Sequence, residues 1–152
     1  MKKILYLHGK GSKPGGIKPE YLKSLGYEVM NPHLPDESFN DSVKIAEDFI
    51  KSHSPDIIVA SSRGGAVALA ASGPKTKSKM ILICPAWKRF GVEPPDSLKD
   101  ATILHAPSDD IVSHQDSKIL SEMLCAKLIT CGTNHRMIDK EALNTLEGVL
   151  LN

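Results

Sequence analysis

Little in this sequence points to a covalent staple, a metal or a membrane. The three cysteines, at 84, 125 and 131, are odd in number and form no CxxC pair. That argues against a disulfide framework and a thiolate zinc site, and it suits a reducing cytoplasm. No apolar run approaches the ~20 residues of a membrane span. Lys2-Lys3 followed by Ile4-Leu5-Tyr6-Leu7 imitates the start of an export signal, but the apolar run ends after four residues at His8-Gly9. An excess of charge is missing too: 19 Lys and Arg face 18 Asp and Glu, so no basic surplus exists to grip a nucleic acid. The expectation is a soluble, cytoplasmic chain with neither a nucleic-acid nor a membrane partner.

What is present is an alternation of short apolar runs and longer helical patterns. At 152 residues and 41% hydrophobic content the chain is the size of one domain, spanning 1–152. Strands are expected at Lys3–Leu7, Tyr27–Met30, Ile57–Ala60, Met80–Cys84, Ala101–His105 and Lys127–Thr130. Several are near-continuous Ile, Leu and Val, as parallel strands covered on both faces require. Helices are expected at Pro19–Leu25, Asp41–His53, Gly64–Ala71, Ser113–Leu124 and Lys140–Leu151, with Asn40 or Asp41 capping the second. This pattern predicts an α/β fold, a three-layer αβα sandwich around about six parallel strands in the order 2-1-3-4-5-6. The irregular segment 85–100, with three prolines and the only Trp, reads as an insertion within the domain.

In such a sheet the chemistry lies beyond the carboxyl ends of the strands, where the winding reverses. The loop after the third strand reads Ala60-Ser61-Ser62-Arg63-Gly64-Gly65. It matches a nucleophile elbow, G-x-S-x-G on a strand–turn–helix, with Ala60 in the first glycine's place and Ser62 at the correct spacing. A cap for a helix of small residues is the plainer reading of the same serines. An acid follows in the loop after strand five (Asp109, with Asp110 a rival and Asp116 a weaker one) and His135 in the loop after strand six. Ser, Asp, His is the chain order that accompanies this elbow.

Four motifs together, Leu7-His8-Gly9, Ala60-x-Ser62-x-Gly64, His105…Asp109-x-x-Val112 and Gly132-x-x-His135, resemble the α/β-hydrolase superfamily, in the style of its small, lidless bacterial esterase-like members. The resemblance spans nearly the whole chain. It implies Ser62 as nucleophile, Asp109 as acid and His135 as base, with backbone N–H groups of Lys10 and Arg63 forming an oxyanion hole. It also implies hydrolysis of a small or soluble carboxylic ester, or of a thioester or amide, through an acyl-enzyme, with no cofactor and no metal. The chain departs from the family in lacking counterparts of its first two strands and in having no room for a full helical lid within 85–100.

Other residues are open to two readings. His8 and His105 sit at strand ends and are expected to bond locally and shape loops. The Arg63 side chain is poised between meeting a substrate anion and forming a salt bridge. Trp87 and Phe90 suit an apolar wall over the site as well as they suit core packing. The glycine-rich, cationic stretch 9–16 raises a phosphate- or nucleotide-binding module as the alternative. It fits neither GxxxxGK[ST] nor GxGxxG, since Pro14 stands where the latter needs glycine. A non-catalytic, flavodoxin-like interaction protein is the remaining alternative.

Overall fold

A computed structural model describes residues 1–152. Its elements follow in chain order as β1 Lys3–Leu7, α1 Ile17–Ser24, β2 Glu28–Met30, α2 Phe39–His53, β3 Ile57–Ser61 and α3 Arg63–Ala71. After these come β4 Lys79–Ile83, β5 Ala101–His105, α4 His114–Leu124, β6 Lys127–Thr130 and α5 Lys140–Leu151. All six strands are parallel, in the order β2-β1-β3-β4-β5-β6. The winding reverses between β1 and β3, where Leu7 pairs with Ala60.

Two cores lie on the two faces of the sheet, and the period-two alternation of each strand feeds both. Ile4, Tyr6, Ile57, Val59, Ile81 and Ile83 point to the face covered by α1 and α5, through Leu22, Leu146 and Leu150. Leu5, Leu7, Ile58, Ala60, Met80 and Leu82 point to the other face, against Ala46 of α2, Val67 and Leu69 of α3, and Leu120 of α4. This double burial is why the central strands carry no polar alternation.

Most elements shift by one or two residues from expectation at one end or both, and three of these boundaries have a clear local reason. Helix α2 begins two residues earlier than its apolar stripe, because Ser38 is extended and its hydroxyl accepts from the Asp41 N–H at 3.1 Å. Helix α4 is capped by Ser113, which accepts from Gln115 N–H. Strand β4 ends at Ile83, because Cys84 turns out of the sheet with φ +45°. Residues 84–100, between β4 and β5, contain no helix or strand. No helix is long and apolar enough to cross a membrane.

Candidate active site

Strand β3 runs into helix α3 through a single residue, Ser62, at φ 56° and ψ −118°. A non-glycine side chain in that region of backbone space costs on the order of 1–3 kcal/mol, and persists only where its surroundings impose it. Here the peptide is held on both sides: Ser62 N–H donates to Ile83 O at 2.9 Å, and Ser62 O accepts from Gly65 and Ala86 N–H at 2.9 and 3.0 Å. Two glycines permit the turn. A Cβ at Gly64 would lie 2.7 Å from the His8 carbonyl oxygen, with the Leu7 carbonyl closer still, and one at Gly65 would lie 2.7 Å from Pro85 Cβ. Helix α3 therefore crosses β1 in direct backbone contact, and the serine stands above the sheet rim.

The loops after β5 and β6 converge on it. His135 Nε2 is 2.8 Å from Ser62 Oγ, and His135 Nδ1 is 2.7 Å from Asp109 Oδ2. A carboxylate only accepts, so Nδ1 carries the ring proton and Nε2 is left to accept from the serine hydroxyl. The Asp109 side chain is fully buried and its other oxygen accepts from Ile111 and Val112 N–H at 2.8 and 2.9 Å. Burial pushes its carboxyl up, but the bonds from His135 and from these two amides outweigh that and hold it below the ordinary carboxylate range. Asp110 is exposed, one residue further on.

Behind Asp109 lies a second, fully buried histidine. His105 Nε2 is 2.9 Å from Val112 O and 3.1 Å from Asp109 Oδ2, while its Nδ1 is 2.6 Å from Ser117 Oγ. Val112 O can only accept, so Nε2 carries the proton and Nδ1 accepts from Ser117. Burial lowers the His105 pKa and keeps the ring neutral. Cys84, His105 and Asp109 bring ligand-type atoms within 4.8 Å of one another. Both ring nitrogens of His105 and both oxygens of Asp109 are already engaged, so this set is organised as a hydrogen-bond network and not as a metal cage.

The His135 loop is tied down from helix α5. Asp139 caps that helix at Ala142 N–H and also accepts from Thr133 N–H at 3.1 Å, while Glu141 accepts from Gly132 N–H at 2.8 Å. Neither acid was singled out by sequence spacing; a D-x-x capping pattern at the start of α5 was the available signal.

The remaining expected residues divide. Lys10 follows β1, and its N–H has no acceptor within the chain. Neighbouring Gly9 packs so close that a Cβ there would lie 3.2 Å from Ser62 Cβ. Arg63 opens helix α3, where first-turn N–H groups have no intrahelical partner. Both residues line, with Ser62 and His135, a cleft of about 670 Å³. Phe90 lines it too, stacked on Phe39 at 5.4 Å. Trp87 does not: it is buried in the core on the face covered by α2, α3 and α4, its indole N–H donating to Asp116 O at 3.0 Å. A carbonyl partner and a large buried apolar area together draw the ring inward. The Arg63 side chain meets neither a carboxylate nor solvent; it donates to Pro35 O at 2.9 Å and lies 5.6 Å from the centroids of both Phe39 and Phe90. His8 makes the expected local bond, donating to Gly9 O, but also accepts from the distant Leu34 N–H, each at 2.9 Å.

Parallel strands in this order, with a strained serine at the β3–α3 turn, define the α/β-hydrolase fold. Solved structures share it over nearly the whole chain. A protein of Xanthomonas campestris pv. campestris assigned to the α/β hydrolase superfamily superposes with a TM-score of 0.79 at 17% identity, covering 99% of this chain and 98% of that one. Alpha/beta hydrolase domain-containing protein 10 from mouse gives 0.77 at 19% identity, over 97% and 87%. Est1E from Butyrivibrio proteoclasticus, with ferulic acid bound, gives 0.75 at 16% identity, over 98% and 86%. At these identities the fold is what is shared. No protein-family model matches the sequence, and comparison with curated proteins finds no significant match.

Proposed function

We propose that this protein is a serine hydrolase that cleaves small or soluble carboxylic esters through an acyl-enzyme, with Ser62 as nucleophile, His135 as general base and Asp109 as its orienting acid. The observation that carries the reading is the unbroken series Ser62 Oγ, His135, Asp109, at 2.8 and 2.7 Å. A hydroxyl is a poor nucleophile until a neighbouring imidazole takes its proton. In the proposed reaction Ser62 Oγ attacks the ester carbonyl as its proton passes to His135 Nε2. The imidazolium so formed is stabilised by the Asp109 carboxylate through Nδ1–H. The oxyanion of the tetrahedral intermediate is received by the N–H groups of Lys10 and Arg63, an arrangement in which each donor is typically worth about 3–4 kcal/mol. His135 then protonates the departing alkoxide, and water repeats the sequence to release the acid and free Ser62.

Esterases among the structural relatives support the substrate class, including the esterase domain of a Rhodothermus marinus protein at a TM-score of 0.71. The segment 84–100 is too short for a full helical lid, which leaves the cleft open and favours short acyl groups over long lipids. Phosphate binding by the 9–16 loop is less favoured, because Gly11 N–H is already taken by the Asp36 carboxylate at 3.0 and 3.1 Å. A panel of p-nitrophenyl esters graded by acyl length tests the proposal. Turnover highest with two to about six acyl carbons is expected; no turnover of any ester would remove the reading.

A further inference from the structure

The chain as a whole is balanced, with 19 basic and 18 acidic residues, but the cleft around Ser62 is not. Its lining includes Lys10, Lys13, Lys18, Arg63, Arg89 and Arg136, drawn from five loops or helix starts, and no Asp or Glu. None of the six is within ion-pair distance of a carboxylate; the pairs present use Lys23, Lys88, His105 and, within the cleft, His135 on Asp109. Where these cations have polar partners, the partners are main-chain carbonyls: Lys18 Nζ on Arg136 O at 2.6 Å, Arg63 on Pro35 O and Arg89 on Ile111 O, each at 2.9 Å.

Arg63 is the extreme case. It is 2% exposed, with no counter-charge, and its Nη1 has no hydrogen-bond partner. A buried guanidinium without an anion is unfavourable on its own, and the rings of Phe39 and Phe90 offset this only in part. Burial also draws the Lys18 ammonium down to about 8, a sign that this charge too lacks compensation. Six uncompensated cations around one concave, partly apolar cleft focus a positive potential on whatever enters it. The oxyanion needs only two N–H donors, and Lys13, Arg89 and Arg136 are exposed side chains around the opening. Their charge is directed at a part of the substrate other than the reacting carbonyl.

Building on the ester-hydrolase reading, we infer that the substrate is an anionic ester, one carrying a carboxylate or phosphate on its acyl or alcohol portion, and that the cations lining the cleft select it over neutral esters. The apolar side chains of Ile17, Phe90, Ile111 and Ile138 line the same cleft and accommodate the carbon skeleton between ester and anion.

The test compares matched pairs. On the acyl side, 4-nitrophenyl hydrogen adipate is set against its neutral methyl ester. On the alcohol side, 4-acetoxybenzoate is set against methyl 4-acetoxybenzoate. At low ionic strength kcat/KM for the anionic member of one pair should exceed that of its neutral partner by about tenfold or more. The pair that shows the preference locates the anion. The ratio should fall severalfold at about 0.5 M salt, where screening shortens the reach of exposed charges, and should fall about fivefold or more in Lys13→Gln/Arg136→Gln. Because both members are measured in one enzyme, a general loss of activity cancels. Turnover of both pairs without anionic preference, or a ratio that ignores salt and the double variant, overturns the inference and leaves the hydrolase reading intact. If no ester is turned over the hydrolase reading falls, and NMR then decides the anion site alone. Adipate should shift cleft amides while neutral adipamide does not; equal or absent shifts overturn it.

Discussion

His105 Nε2 lies 3.1 Å from the same oxygen of Asp109 that receives His135 Nδ1–H at 2.7 Å, and it donates at 2.9 Å to the carbonyl of Val112, whose own N–H holds the other Asp109 oxygen. The loop that carries the acid is thus held through Val112 by a neutral imidazole whose own orientation is set by Ser117. His105 is in this account a positioning residue, which keeps the carboxylate aimed at His135 Nδ1. In His105→Leu, kcat should fall about tenfold with KM nearly unchanged. His105→Gln, which retains an N–H donor at a similar reach, should recover much of the loss. A fall in stability with unchanged kcat, and no recovery by Gln, would make His105 a structural residue only.

The two adjacent acids should separate sharply. The Asp109 side chain is buried with three donors on its two oxygens, whereas Asp110 is exposed. Asp109→Asn should lower kcat by up to ~10⁴-fold, because an amide at that position permits the wrong histidine tautomer. Asp110→Asn should cost less than about tenfold. Steady-state kinetics on the two purified variants checks the ranking, and the reverse order would move the acid.

Asp109 also ties stability to pH. Its folded pKa lies below the ordinary value of 3.8, so the folded state binds fewer protons than the unfolded state in the acid range. Its contribution is therefore fully present above the unfolded value and is lost as pH falls through the folded one. Urea midpoints for the wild type and Asp109→Asn should diverge as pH rises from about 3 to about 5 and run parallel above that. A gap that is constant with pH would contradict the depressed pKa.

Substitution of two glycines should have opposite signs. At Gly64 a methyl group would strike the backbone of Leu7 and His8, and neither can yield without moving β1. Gly64→Ala should lose about 3 kcal/mol or more, or fail to fold. At Gly148, in helix α5, a Cβ meets nothing within 4 Å, and Gly148→Ala should gain about 0.5–1 kcal/mol. Urea unfolding of both proteins reads the contrast.

Much of this architecture was legible in the residues. The unbroken aliphatic runs of β1, β3 and β4 declare strands buried on two faces, and Ala60-x-Ser62-x-Gly64 marks the one turn where helix and strand must nearly touch. Local signals failed where a long-range partner decided. Nothing near Trp87 announces that Asp116 O of α4 awaits its indole, and nothing near Arg63 announces that Pro35, Phe39 and Phe90 will enclose it. The cationic cleft is a still stronger case. Its six charges are scattered from Lys10 to Arg136 in a chain of nearly zero net charge, and only the sheet order gathers them.

The central claim is that Ser62, at its strained turn, is the nucleophile. The most direct measurement is the reaction of the intact protein with a fluorophosphonate, followed by mass spectrometry of the peptides. One label is expected, on Ser62, and it should be absent from Ser62→Ala and much slower in His135→Ala. Labelling at Ser61 or Ser12 in its place, or no labelling at all, would contradict the account.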